Sequence, residues 1–477
     1  MSSKFETAIR KSFEAFRPQT FAVGVWHDGK EEFHTFGRVS ADTRKANADT
    51  VFQVASVSKS FIAACVWMLV EEGKIDAASP VTRYLPDFAM YTEELTRNLT
   101  VRDAMCHCCG LPRHDITLFT RAGYSLEQMV GIIRYLPPAW ALRERFGYSN
   151  HMFAVLSLLV ERVSGIPWGE FVKKRIFEQL GMSRSFTKCF EYVGADDNYA
   201  RPRTQVNGRN RPIVPENVDQ CGSSGAISAS VRDLLQWAKL NLRGGVLPDG
   251  SRLYSQEAAS QLHGEQTVIN VGELMPYNID EIESLHYGMG WIVERYRGER
   301  LVQHGGTISG YKSYIGFLPG KDFAFAALAN LSGSPVCDAA GRSMCDVLLE
   351  REETDWNDRY LGYMGAAKGR ARAMRQGILE PPDGASDTTG LAGRYENKAY
   401  GVFAVSESRG KLTLLVEGMP GMKPLSILPS KHFQWAVDIP SSELAMPCRF
   451  EKEDGRAVRM LASTDADLPQ PMRFERC

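Results

Sequence analysis

From Phe61 to Val70 every residue is apolar, and Glu71-Glu72-Gly73 then closes the run. A helix apolar on every side is a core helix. The run is about half of the ~20 residues a membrane span needs, and Gly73 is a natural helix stop. Before it, Met1 to Phe13 alternates charged and apolar residues at helical spacing, as a surface helix does. Thr20–Trp26 reads as a strand, His27–Lys30 as its turn, and Glu31–Val39 as the returning strand. A short strand at Val51–Val54 then delivers the chain to the core helix. From about Leu99 to Leu242 the pattern is helical with long loops: His151–Ser164 and Trp168–Leu180 are separated by Gly165-Ile166-Pro167. Gly222-Ser223-Ser224-Gly225 is a loop that exposes backbone, and Ser230-Val231-Arg232-Asp233 is a capping box opening the helix that carries Trp237.

After Tyr287-Gly288-Met289-Gly290-Trp291 the period changes to two. Strands are predicted at Trp291–Tyr296, Arg300–Gln303, Lys312–Leu318 and Phe323–Leu331, and a helix at Val336–Glu350. Strands at both ends with helices between predict an α/β fold of the α+β type, one antiparallel sheet built from both ends of the segment and flanked by helices. Residues 353–388, rich in charge, then Ala, Arg and Gly, and ending in Pro381-Pro382-Asp383-Gly384, read as a linker with some helix at its start. Short strands at Gly401–Ser406, Lys411–Val416, Lys423–Leu428, His432–Val437, Arg449–Lys452 and Val458–Leu461 predict a small β-barrel or sandwich. The expected division is therefore 1–352, 353–388 and 389–477.

Composition narrows the classes. With 56 basic and 57 acidic residues among 477, nothing in the charge favours nucleic acid or an anionic membrane surface. The ten cysteines are scattered, as in a reducing compartment, and the start has no continuous apolar core of a signal peptide, so a cytoplasmic protein is expected. Cys106-His107-Cys108-Cys109 clusters thiols and an imidazole too tightly to close a tetrahedron, and no second Cys-x-x-Cys supports a metal there.

The chemistry begins at Ser56-Val57-Ser58-Lys59. One helical turn brings a hydroxyl and an amine together. At the first turn of a buried helix, the helix dipole and desolvation both press the lysine towards its neutral form, a base for the serine. The pattern recurs at Ser185–Lys188, Ser309–Lys312 and Ser408–Lys411, but only the copy at Ser56 opens a long apolar helix after a strand. Tyr148 stands where a phenol can hold or relay a proton, or simply pack. Asn150 either bonds Lys59 or a substrate amide, or caps the next helix. In His304-Gly305-Gly306-Thr307, two glycines admit a substrate close to the backbone. The Thr307 amide can join that of Ser56 in binding an oxyanion, with His304 as a polar neighbour.

Ser-x-x-Lys, Tyr148-Ser149-Asn150 and His304-Gly305-Gly306 occur in the order and rough spacing of the serine hydrolases related to class C β-lactamases, D-alanyl-D-alanine carboxypeptidases and D-aminopeptidases. The chain resembles them over residues 15 to 350, including Leu111-Pro112-Arg113-His114-Asp115 and Tyr287-Gly288-Met289-Gly290-Trp291. Gly393-Arg394-Tyr395-Glu396-Asn397 and the strands C-terminal to it are similar to the lipocalin-like barrel that some peptidase-type members carry. The resemblance implies a β-lactamase/transpeptidase-like sheet with a helical subdomain and a C-terminal barrel. It implies Ser56 as the acylated nucleophile, Lys59 as its base and Tyr148 as general base or relay, with Asn150 and His304 to Gly306 completing the motifs. His304 stands where β-lactamases and transpeptidases usually show lysine, which favours the D-aminopeptidase and esterase side. Cys106-His107-Cys108-Cys109-Gly110 replaces the usual small hydroxylated residues.

The expected function is hydrolysis of amide bonds in small or D-configured peptides through a Ser56 acyl-enzyme, with no metal or organic cofactor. A carboxylesterase or acyltransferase, a β-lactamase, and a non-catalytic penicillin-binding-like module are the alternatives. The partner is a small-molecule or short-peptide substrate, not nucleic acid or membrane. The barrel is expected either to rim the cleft or to mediate homo-oligomerisation. Specificity is expected to lie in the loops Arg113–Leu136 and Glu265–Glu283.

Overall fold

The computed structural model describes residues 1–39, 44–194, 196–270, 279–351, 354–419, 421–440 and 443–477. The expected boundary at 352/353 and the middle of the 265–283 loop, residues 271–278, lie outside them. Helix α1 (Ser2–Phe16) buries Phe5, Ile9 and Phe16 on one face. Strands β1 (Thr20–His27) and β2 (Lys30–Gly37) form the expected hairpin. β1 then pairs antiparallel with the last strand of the segment, Phe21 opposite Ala329.

The sheet has eight antiparallel strands. With β3 (Thr267–Val268), β4 (Ile282–Tyr287), β5 (Ile292–Tyr296), β6 (Glu299–Ile308), β7 (Tyr311–Leu318) and β8 (Phe323–Ala329), the order is β2-β1-β8-β7-β6-β5-β4-β3. β8 is buried along its whole length, since helices cover both faces of the sheet there. Helix α2 (Ser58–Glu71) is the core helix, its residues 58–69 all buried. It packs on α3 (Asn150–Ser164) and near α4 (Val231–Leu242), where Phe61 stacks on Trp237 with ring centroids 4.3 Å apart. On the other face lies α5 (Val336–Leu348), packed against α1.

One element differs from the sequence reading. The segment read mostly as linker forms a 23-residue helix, α6 (Trp356–Ile378), whose buried residues Trp356, Asn357, Tyr360 and Ile378 sit at its two ends. The C-terminal region is the expected β-barrel, closed with eight strands, from Gly393–Asn397 to Met472–Arg476, because these two terminal strands pair with each other. No single helix among the described residues is long and apolar enough to cross a membrane.

Candidate active site

Ser56 lies in a 3-10 turn, Ala55–Val57, that runs directly into α2. Ala55 has φ of 48°, in the left-handed region that residues with a side chain seldom enter unless their surroundings force it. The surroundings are polar and specific. Ser58 Oγ donates to the Ala55 carbonyl at 2.6 Å and accepts from the Ile227 amide at 3.1 Å, while Ser313 Oγ on β7 donates to the Val54 carbonyl at 2.7 Å.

Lys59 is fully buried. Its Nζ is 3.1 Å from Ser56 Oγ, 2.7 Å from Asn150 Oδ1 and 2.7 Å from the Ser224 carbonyl oxygen. The orientation of the Asn150 amide is set on its far side, where Nδ2 donates to Asp115 Oδ1 at 2.8 Å. Burial, reinforced by the Arg113 guanidinium and opposed by Asp115, holds the Lys59 amine well below the ordinary lysine range.

Tyr148 packs its ring beneath the Lys59 amine, 4.9 Å from Nζ to centroid, and beneath Arg113, also at 4.9 Å. Burial pushes its hydroxyl well above the ordinary phenol range, although the hydrogen bond with Ser56 and the Arg113 charge act the other way. The tight Cys106–Cys109 segment serves this tyrosine. His107 is buried, its ring centroid 4.3 Å from that of Tyr148, and its Nδ1 accepts from the Ser149 amide at 3.2 Å. Burial raises the Cys106 and Cys109 thiols to about 12 and about 11, so they stay protonated and pack as small apolar groups.

Strand β6 supplies the opposite wall. His304 is buried and neutral, its pKa lowered to about 3 by burial and by the Lys59 charge. Its Nδ1 lies 2.7 Å from the Gly305 carbonyl, which only accepts, so Nδ1 carries the proton and Nε2 accepts from the Tyr287 hydroxyl at 3.1 Å. A Cβ on Gly306 would fall 2.1 Å from the Val54 carbonyl oxygen and 3.1 Å from the Ser56 amide nitrogen. Only glycine lets β6 approach the serine turn this closely. Thr307 is exposed beside Ser56, and its cross-strand partner Lys312 brings Nζ to 3.4 Å from Thr307 Oγ1 and 3.0 Å from Asp338.

Ser56, Arg113 and Thr307 stand between two cavities. One, of about 310 Å³, also reaches Asp115, Phe119, Glu216 and Ser309; the other, of about 250 Å³, reaches Tyr148, His304, Lys312 and Tyr360. All eight residues singled out from sequence therefore meet around one turn, with Asn150, Gly305 and Gly306 placed by direct contact with Lys59, His304 and the Ser56 turn.

A family model described as Beta-lactamase matches residues 9–343. The chain belongs to the beta-lactamase family. Membership makes it a serine hydrolase, as expected from the three motifs. It is similar to an unguisins hydrolase of Aspergillus campestris, 26% identical over 79% of this chain and 71% of that one. It is also similar to penicillin-binding protein 4 of Amycolatopsis lactamdurans, 25% identical over 67% and 84%. Among solved structures, the octameric penicillin-binding protein homologue from Pyrococcus abyssi covers 99% of this chain and 100% of its own at TM-score 0.64 and 22% identity, so the likeness of fold extends through the barrel.

Four contributors to this family site were not singled out from sequence. Asp115 and Arg113 lie in the Leu111–Asp115 stretch that carried part of the resemblance, and the arginine-aspartate alternation was the available signal. The Ser224 carbonyl is a backbone acceptor and leaves no signature beyond its glycine-flanked loop. Lys312 reaches the site only through the β6–β7 register. It stands on the neighbouring strand, opposite Thr307.

Proposed function

We propose that the protein hydrolyses amide bonds in small peptides, including D-configured ones, through an acyl-enzyme on Ser56. The observation that carries this reading is the set of partners of the Lys59 amine. Among the described residues no carboxylate touches it, and burial favours the neutral form. A neutral amine has two N–H groups and one lone pair. Asn150 Oδ1 and the Ser224 carbonyl accept the two N–H groups, and the lone pair faces the Ser56 hydroxyl.

In the first step Ser56 Oγ passes its proton to Lys59 Nζ and attacks the substrate carbonyl carbon. The oxyanion is held by the Ser56 and Thr307 amides. Tyr148, which stays a neutral phenol, hands its proton to the leaving nitrogen and takes the one on Lys59. It therefore acts as a relay rather than as a phenolate base. Water then attacks the ester, giving its proton back through the same pair, and the acid product leaves with Ser56 restored. His304 takes no proton in this scheme, because the Tyr287 hydroxyl occupies its one basic nitrogen. The names of its relatives, an unguisins hydrolase and, by fold, a D-amino acid amidase from Ochrobactrum anthropi SV3 (TM-score 0.61, 19% identity, 73% of this chain and 97% of that one), support the amide as substrate. A homo-oligomer is part of the same proposal, since the Pyrococcus neighbour is described as octameric; light scattering reads it.

The test is intact-mass analysis after brief exposure to a fluorophosphonate, with Ser56→Ala as control. It is run beside turnover of a D-aminoacyl anilide, a short-chain ester and a chromogenic cephalosporin. An adduct lost in the variant, with the anilide preferred, is the expected result. Preference for the ester or the cephalosporin replaces amidase by esterase or β-lactamase, and no adduct with no turnover leaves a binding module.

A further inference from the structure

The segment Arg113-His114-Asp115, which lines the site, is held from outside its own domain. His114 has φ of 49° and is fully buried, a backbone state that persists only where neighbours impose it. Its polar groups all have partners. The amide donates to Asp465 Oδ2 at 2.8 Å, and the carbonyl accepts from Thr117 Oγ1 at 2.7 Å. The ring Nε2 lies 3.0 Å from the Pro137 carbonyl and Nδ1 2.6 Å from the Tyr400 hydroxyl. The Pro137 carbonyl accepts only, so Nε2 carries the proton and the Tyr400 O–H donates to Nδ1. Tyr400 and Asp465 belong to the C-terminal barrel. The barrel turn that carries Tyr400 is itself fastened by Arg121, whose guanidinium donates to the carbonyls of Asn397, Lys398 and Ala399.

We propose that the barrel is a working part of the active site, with Tyr400 and Asp465 as positioning residues that hold His114 and, through it, Arg113 and Asp115. This rests on the reading of Lys59 as the base. Asp115 orients the Asn150 amide so that its oxygen, not its NH2, faces Lys59. If Asp115 is displaced, the amide is free to turn and donate to the amine. That occupies the lone pair Ser56 needs, and acylation slows whatever the leaving group. Other contacts of the barrel, among them Arg372 with Glu443, Arg375 with Asp438 and Ser430 with the Ile378 carbonyl on α6 and Lys398 over the Tyr135 ring, touch none of these residues.

The experiment compares acylation rates by fluorophosphonate, and kcat for the anilide, in the full-length protein and in Tyr400→Phe, Asp465→Asn and their combination. Tyr400→Phe removes the donor to His114 Nδ1, and Asp465→Asn leaves one oxygen for the two amides, of His114 and Asp467, that the carboxylate serves. The expected result is a loss on the order of tenfold in acylation for the pair, at nearly unchanged KM and melting temperature, and a loss under twofold when the same pair is placed in an Asp115→Ala background. Phe433→Ser, an exposed barrel change, leaves the rate unchanged. A folded double variant that acylates at the wild-type rate overturns the proposal, and so does a loss that adds in full to that of Asp115→Ala. If Tyr400→Phe lowers the melting temperature markedly, Asp465→Asn alone carries the comparison. Wild-type protein that does not label at Ser56 refutes the amidase reading instead, so the two failures are distinct.

Discussion

The two adjacent glycines of β6 make opposite predictions when each is replaced by alanine. At Gly305 the nearest atoms to a new Cβ are Lys312 Nζ at 3.7 Å and the Ser313 carbonyl oxygen at 3.8 Å, ordinary contact distances. At Gly306 the new carbon would sit 2.1 Å from the Val54 carbonyl oxygen and 2.3 Å from Ser313 Oγ, two atoms that are hydrogen-bonded to each other at 2.7 Å. Relief requires β6 and the serine turn to part by about 1 Å, which breaks that bond and widens the gap between the Ser56 and Thr307 amides. Overpacking of this kind costs about 1–3 kcal/mol of stability, and a misplacement of about 1 Å at a reacting centre costs about 10²-fold in rate. Gly305→Ala is therefore expected to acylate within about threefold of wild type. Gly306→Ala is expected to fold with a lowered melting temperature and to acylate about 10²-fold more slowly. Stopped-flow labelling by a fluorophosphonate, with thermal unfolding alongside, reads both. Equal rates in the two variants, whether both fast or both slow, would refute the placement of the oxyanion site at this contact.

Burial and helix propensity set three further outcomes. Acylation rises with pH while Lys59 loses its proton and levels off well below the ordinary lysine range, since its pKa is depressed by burial; the fluorophosphonate pH profile reads this, and a rise continuing to pH 10 contradicts it. His151, His263 and His304 are buried and neutral, with pKa values lowered to about 4, about 3 and about 3. Their stabilisation is complete above the unfolded value of about 6.5 and is lost as pH falls towards these values, so the melting temperature drops between pH 6.5 and 4, and less steeply in His263→Gln. Gly365 and Gly369 lie inside α6 with open space around them, so alanine at each adds about 0.5–1 kcal/mol by urea unfolding.

What the sequence made legible is what residue type alone determines. The apolar run Phe61–Val70 announces a core helix, and the Ser56–Lys59 spacing places the hydroxyl and amine together whatever surrounds them. Tyr148, Asn150 and Gly306 were identified by order along the chain, and the fold brings them to the same turn. The rest depends on features that composition does not carry. The Ser224 contribution is a carbonyl, common to every residue. Lys312 matters because it lies opposite Thr307 across a strand pair, a register visible only in the sheet. Helix α6 was hidden because four glycines and a long exposed middle erase the apolar stripe, leaving only its buried ends to hold it. The link from the barrel to His114 spans 351 residues along the chain and has no local pattern at all.

Asp115 joins these threads, and its replacement separates two effects that wild-type geometry combines. Its carboxylate attracts the Lys59 proton and so raises that pKa, partly offsetting burial. It also aligns the Asn150 amide. Asp115→Asn removes the charge and keeps an oxygen that can accept from Asn150 Nδ2. It also frees Arg113 from its 2.7 Å partner, so that the guanidinium acts on Lys59 unopposed. Both changes disfavour the ammonium, and the acylation profile is expected to move to lower pH with its plateau largely kept. Asp115→Ala removes the charge and the alignment together. The profile moves the same way, but the plateau falls about tenfold or more as the amide turns its NH2 to the base. Acylation rates from pH 4 to 10 for the three proteins decide it. A move to higher pH in Asp115→Asn, or equal plateaus in all three, would mean that the carboxylate neither tunes nor orients the base.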